Sequence, residues 1–146
     1  MQQRFDIYEL EPNAIKVLME VSNYVSKTSI SKTLQELIKI RASQINNCAY
    51  CLDMHTKDAL KNGETQQRLF LVSAWRETNE IFTEKEKAAL AMTEEITLIS
   101  QKGLSEETYE NALKYFSTQE ISEIVMAIII INSWNRIALS SQIVVG

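Results

Sequence analysis

Ser117-Thr-Gln-Glu-Ile-Ser-Glu-Ile-Val-Met-Ala-Ile-Ile-Ile-Ile-Asn-Ser-Trp-Asn-Arg-Ile-Ala-Leu-Ser-Ser141 is the stretch that decides the fold class. Its isoleucine run, Ile128 to Ile131, is β-branched and taken alone suits a strand. Ser117-x-x-Glu120, however, has the form of a capping box. Ile121, Ile124, Val125, Ile128, Ile129 and Ile131 then recur at helical spacing over more residues than a strand uses. The stretch therefore reads as a buried helix ending near Ser141. Its most apolar part, Ile121 to Ile131, includes Ser122 and Glu123 and is too short to cross a bilayer, so it is expected in a core.

Outward from this helix, apolar spacings of three and four and helix boundary signals predict an all-α chain of about seven helices and no strand. Pro12, suited to a first turn, opens a helix to near Val25. Thr33-x-x-Glu36 has capping-box form and opens a second, which fades at Asn46-Asn47. A third spans roughly Cys48 to Asn62, with Gly63 as its C-terminal cap. A fourth covers about Glu64 to Glu77. A fifth runs from the capping box Thr83-x-x-Glu86 to Gly103, and Ser105 caps a short sixth before the Ser117 helix. No linker, repeat or low-complexity tract interrupts residues 1–146, which are expected to form a single domain.

Composition narrows the function classes. The chain has 146 residues, 45% hydrophobic and 23% charged, with three glycines and one proline, as a soluble globular domain of long helices would. That length buries about two-thirds of the unfolded surface, so no staple is needed. The net charge of -4 and scattered Lys and Arg argue against nucleic acid as a partner. The N-terminus, Met1-Gln-Gln-Arg-Phe-Asp-Ile-Tyr, lacks a secretory signal's apolar run, so a cytoplasmic location and no membrane association are expected. In that compartment a close cysteine pair suits redox turnover or metal binding better than stapling.

Such a pair exists. Cys48-Ala-Tyr-Cys51-Leu-Asp-Met-His55 holds both cysteines and the single histidine of the chain. On a helix Cys48, Cys51 and His55 fall within an arc of about 60°, with Cys51 and His55 one turn apart. A CxxC at a helix N-terminus favours the thiolate, and His55 can take the proton of Cys51, directly or through a water. His55 then needs a partner to fix its tautomer and support its charge, and a carboxylate would serve. If the second and third helices fold back about Asn46-Asn47, Glu36 and His55 lie about 3 Å apart in height at 1.5 Å rise per residue. Glu36 lies opposite the Leu34, Leu37, Ile38, Ile45 stripe, so its helix must be covered on two sides or leave Glu36 in water.

Glu36-(eleven residues)-Cys48-x-x-Cys51-x-x-x-His55 on a helical chain of this length resembles the carboxymuconolactone decarboxylase family, specifically its alkylhydroperoxidase D-like branch. The resemblance covers about residues 30 to 80, and Asn132-Ser133-Trp134-Asn135-Arg136 resembles a segment near the C-termini of single-domain members. It implies a thiol peroxidase without a bound cofactor or metal. Cys51, activated by a relay from Glu36 through His55, would attack hydrogen peroxide or an organic hydroperoxide and become a sulfenic acid. Cys48 would resolve it as a disulfide, and an external thiol or lipoyl reductant would restore the pair. The resemblance also implies a homo-oligomer, a trimer or hexamer, whose contacts would cover the second side of the Glu36 helix. Tyr50 departs from the pattern, since the best-known peroxidases often carry histidine there; it can donate a hydrogen bond but is a poor base near pH 7.

Plainer readings stand beside these. The cysteines could be two small buried residues, His55 a core histidine, and Glu36 the partner of Thr33 in a capping box. Tyr50 reads more readily as a pocket wall than as a chemical group. A closed zinc site wants four ligands, and Cys48, Cys51 and His55 supply three. A c-type haem site would need histidine where Leu52 stands. Trp75, Trp134 and Arg136 are expected in the core or at an interface, Arg136 with the charge to meet a buried carboxylate. Beside the peroxidase stand a thiol-disulfide carrier using the same pair, a lactone decarboxylase, whose branch lacks the CxxC, and a non-catalytic scaffold.

Overall fold

A computed structural model describes residues 2–145. Among them the chain forms α1 (Ile7–Leu10), α2 (Pro12–Val25), α3 (Lys32–Ile45), α4 (Ala49–Lys61) and α5 (Gln66–Leu71), then a 3-10 segment (Val72–Glu77). It continues through α6 (Glu84–Thr97), α7 (Ile99–Lys102), α8 (Glu106–Leu113) and α9 (Thr118–Ser141), with no strand among the described residues. The all-helical reading holds. The count is nine α-helices rather than about seven, because one-turn pieces and a break escape a periodicity search. Asp6 accepts the Tyr8 backbone N–H and so caps the four residues of α1, too few to show a period.

Three boundaries differ for identifiable reasons. The α3 cap is Ser31, whose hydroxyl accepts the Leu34 N–H at 3.2 Å. Glu36 is then beyond the first turn, where every backbone N–H already has a helical partner, so the Thr33–Glu36 capping box does not form. The expected helix from Glu64 to Glu77 narrows to a 3-10 segment after Leu71, with Ala74 off helical geometry at φ -117°. Three residues per turn stack Val72 above Trp75, and both enter the core. The Thr83 helix, whose capping box does form, breaks at Leu98 before a last turn that ends at Gly103, φ +69°.

The centre of the bundle is α3, which packs against α4, α6 and α9. Leu34 and Ile38 face one core with Ile124, Ile128 and Met92. Leu37 and Ile40 face another with Val72, Trp75, Phe82 and Leu90. Both sides of α3 are thus covered within one chain, and the Glu36 side meets α4. α9 has the length and apolarity to cross a membrane, yet half of its apolar window is buried in the bundle, as in a helix that is apolar on most faces because neighbours surround it. Ile128 is fully buried and Ile129 is 47% exposed. Ile128→Ala is therefore expected to cost about 3 kcal/mol and Ile129→Ala under about 1 kcal/mol in urea unfolding. Equal costs would contradict this placement of α9.

Candidate active site

The site is built on the turn between α3 and α4. Asn47 takes the left-handed conformation, φ 56°, which asparagine tolerates. Its N–H donates to Gln44 O at 3.2 Å and the Cys48 N–H to Ser43 O at 3.0 Å, the pair of bonds that closes a Schellman end. Cys48 is at once the residue that seals α3 and the N-cap of α4, where its sulfur accepts the Cys51 N–H at 3.4 Å. The Asn46 amide donates to Asn132 Oδ1 at 3.0 Å and Asn135 Oδ1 at 2.9 Å, pinning the turn to α9. The Asn135 amide returns to Ser43 Oγ at 3.0 Å.

Cys48 and Cys51 are joined in a disulfide with Cα atoms 5.4 Å apart, and their residues are 1% and 2% exposed. On the next turn His55 is buried, and its Nδ1 lies 2.9 Å from Glu36 Oε2. An ionised carboxylate can only accept, so Nδ1 carries the hydrogen, and in the neutral ring Nε2 is then the lone-pair nitrogen. The other carboxylate oxygen, Glu36 Oε1, accepts from Lys39 Nζ at 2.7 Å. Burial pushes the Glu36 carboxyl up, but the His55 hydrogen bond and the Lys39 ammonium pull it down by more, and it titrates below its ordinary value.

Cys51 and His55 open onto one apolar cavity of about 340 Å³, and Cys48 is not in its wall. Ile130, Ile131, Trp134, Ile137 and Ala138 of α9 form one side. Met54 and Tyr50 of α4, with Met19 and Val25 of α2, form another, and Tyr8 of α1 reaches the rim. Burial, with Tyr50 and Asp6 close by, raises the Tyr8 phenol above its ordinary value, so it stays a hydrogen-bond donor. Trp134 is held in the wall by its indole N–H, which donates to Ser22 Oγ at 2.8 Å. Among the described residues no group of three or more His, Cys, Asp or Glu side chains converges as a metal site.

The structure thus brings Glu36 to His55, sets His55 and Cys51 on one cavity, and places Tyr50 in its wall. Among the described residues Arg136 meets no carboxylate: its guanidinium donates to the Asn132 carbonyl at 2.9 Å and Oδ1 at 3.0 Å, one turn back on α9. Trp75 is a core residue whose indole donates to Glu94 at 2.8 Å. Sequence reasoning missed Lys39 and Tyr8. Lys39 was legible as the i, i+3 neighbour of Glu36, whereas Tyr8 arrives only through the packing of a one-turn helix.

The sequence model of the carboxymuconolactone decarboxylase family matches residues 12–95, a span that contains Glu36, Cys48, Cys51 and His55. The chain belongs to that family. The match stops before α9, which supplies the far wall of the cavity. An uncharacterised protein of Bacillus subtilis (strain 168), YdfG, is 44% identical over 140 residues, covering 96% of this chain and 95% of its own. A solved structure from Agrobacterium tumefaciens, described as a protein of unknown function and a candidate antioxidant-defence protein AhpD, is 38% identical. It superposes with a TM-score of 0.93 over 97% of this chain and 96% of that one. An uncharacterised peroxidase-related protein from Silicibacter sp. TM1040 has the same fold, TM-score 0.82, at 20% identity over 94% of this chain and 72% of that one. The alkylhydroperoxidase-like fold and the close cysteine pair together fit a redox role.

Proposed function

We propose that the chain is a thiol-dependent peroxidase with the dithiol Cys48/Cys51 as its only redox group. The observation that carries this reading is the shared cavity: Cys51 opens onto it beside His55, whose far nitrogen is fixed by a buried carboxylate. In the reduced protein His55 Nε2 takes the Cys51 thiol proton. The thiolate attacks one oxygen of the hydroperoxide, the O–O bond breaks, and the alkoxide leaves with the proton held by His55, giving ROH and Cys51 sulfenic acid. Cys48 sulfur then displaces hydroxide from Cys51, forming the disulfide and water. Two electrons have passed from the dithiol to the peroxide. A thiol or lipoyl reductant returns them.

Burial of both sulfurs supports this reading over a carrier between proteins, since a folded partner's disulfide cannot reach Cys51 through a cavity of this size. For the same reason the reductant should be slender, as a lipoyl arm is. The reaction suits a reducing cytoplasm. A homo-oligomeric assembly is supported by the exposed apolar residues Leu10, Val17 and Tyr24, seven residues apart along α1 and α2.

An apolar wall favours organic hydroperoxides over hydrogen peroxide. With fully reduced protein, cumene hydroperoxide is expected to form the disulfide roughly 10- to 100-fold faster than hydrogen peroxide, the discrimination a few buried methylenes provide. The measurement follows disulfide formation and peroxide loss together. Oxidation by cumene hydroperoxide no faster than that of free dithiothreitol would remove the peroxidase reading.

A further inference from the structure

We infer that Lys39 is a positioning residue that holds Glu36 in its anionic form and thereby sets which nitrogen of His55 faces Cys51. The inference deepens the peroxidase reading, but its electrostatic core is measurable without peroxide. The two carboxylate oxygens of Glu36 are divided: Oε2 accepts from His55 Nδ1 at 2.9 Å and Oε1 from Lys39 Nζ at 2.7 Å. The three side chains are 9%, 11% and 17% exposed, so the ion pair is shielded from water and salt.

The surroundings divide the same way. His55 and Cys51 line the apolar cavity, whereas Glu36 lines a polar notch on the other side with Ser26, Lys32, Gln35 and Asp58. Lys39 lines both and forms the wall between them. The other charged groups at the notch are Lys32 from α3 and Asp58 and Lys61 from α4, the last two paired at 3.3 Å. Tyr8 and Tyr50 are the remaining titratable groups of the cavity besides Cys51, and α2 and α9 bring no charged side chain to either space. Lys39 is therefore the one ammonium bonded to Glu36 among the described residues.

The charge matters because the tautomer follows it. While Glu36 is anionic it accepts the Nδ1 hydrogen, and the Nε2 lone pair can take the Cys51 proton. A protonated Glu36 would donate to Nδ1 instead, leaving the hydrogen on Nε2, and a ring in that state cannot accept from the thiol. A neutral imidazole alone is a weak counter-group for a buried carboxylate, and the Lys39 ammonium supplies the missing charge.

His55 is the only histidine, so its ring nitrogens can be followed by 15N NMR without further substitutions. In oxidised protein, titrated with no thiol and no peroxide present, the neutral ring of the wild type is expected to be the Nδ1–H tautomer. In Lys39→Gln, which keeps an N–H donor and loses the charge, the pH at which that tautomer is lost should rise by about one unit, and in Lys39→Met at least as much. Lys39→Arg should restore the wild-type profile. In reduced protein, Cys51 alkylation by iodoacetamide should slow by roughly tenfold for the Gln variant at the pH where the two profiles differ. Unchanged 15N shifts in Lys39→Gln would overturn the inference whatever the peroxide activity. A moved profile in a protein that does not turn over peroxide would sink the peroxidase reading and leave Lys39 in its place.

Discussion

Reduced Cys51→Ser protein is expected to consume organic hydroperoxide no faster than background, a loss on the order of 10³-fold or more, because a serine hydroxyl cannot replace a thiolate as nucleophile. Cys48→Ser should behave differently. It should react once, release one equivalent of alcohol, and stop at a Cys51 sulfenic acid that dimedone captures. The asymmetry follows from placement: Cys51 is in the cavity wall beside His55, while Cys48 is turned into the cap of α4 and covered by Ala42, Ile131 and Ala138. Compared in the reduced form, each variant should lose no more than about 2 kcal/mol of stability, the cost of one poorly partnered buried hydroxyl. If Cys48→Ser were the dead variant and Cys51→Ser the single-turnover one, the roles of the two sulfurs would be reversed. The helix N-terminus gives that outcome a physical route, since the Cys51 N–H points at the Cys48 sulfur.

The second large effect is expected from Glu36→Gln. Glutamine can still accept from His55 Nδ1, but the ring loses the anion that stabilises it once protonated, and Lys39 loses its counter-charge. Oxidation of Cys51 should slow by about 10²-fold. Its alkylation profile should move to higher pH, and a profile that did not move would remove Glu36 from the relay. Stability should respond to acid in a defined direction. The Glu36 carboxyl is depressed in the folded protein by His55 and Lys39 against the opposing effect of burial. Its contribution is therefore fully present above the ordinary glutamate range, near pH 4.3, and is lost as pH falls through the folded value. The wild type should accordingly be more stable than Glu36→Gln near neutrality, and the gap should narrow on acidification below pH of about 4. Urea midpoints at the two pH values measure it, and a constant gap would mean that Glu36 is not anionic in the folded protein.

Several parts of this site were legible without coordinates because they are local. The i, i+4 spacing of Cys51 and His55 needs only a helix, and the capping boxes at Thr83 and Ser117 both form because side chain and backbone lie within one turn of each other. The same local logic misled at Thr33. Ser31 was equally able to cap, and the start of α3 was decided by where the chain leaves the loop carrying Ile30, whose carbonyl is held by the buried Gln35 amide at 2.9 Å. Glu36 was thereby released from capping to meet His55. For Arg136 the partner seen among the described residues of one chain is the Asn132 side chain one turn back, a local contact that the reading for a buried carboxylate did not include.

The chain's residues by themselves determined that the protein is helical, that its soft nucleophiles and its histidine share one helical face, and that Glu36 stands at the matching height across a turn. These follow from the helix repeat and rise, which act over a few residues. Only the tertiary structure decided that both sides of α3 are covered by its own chain, and that Cys51 faces a cavity while Cys48 is sealed beneath a cap. It also decided that Lys39 stands between that cavity and the polar notch lined by Glu36. Those are outcomes of packing among α2, α3, α4 and α9, residues as far apart as Ser22 and Trp134. Which faces meet depends on the combined shape of all of them, and no period along the chain encodes it.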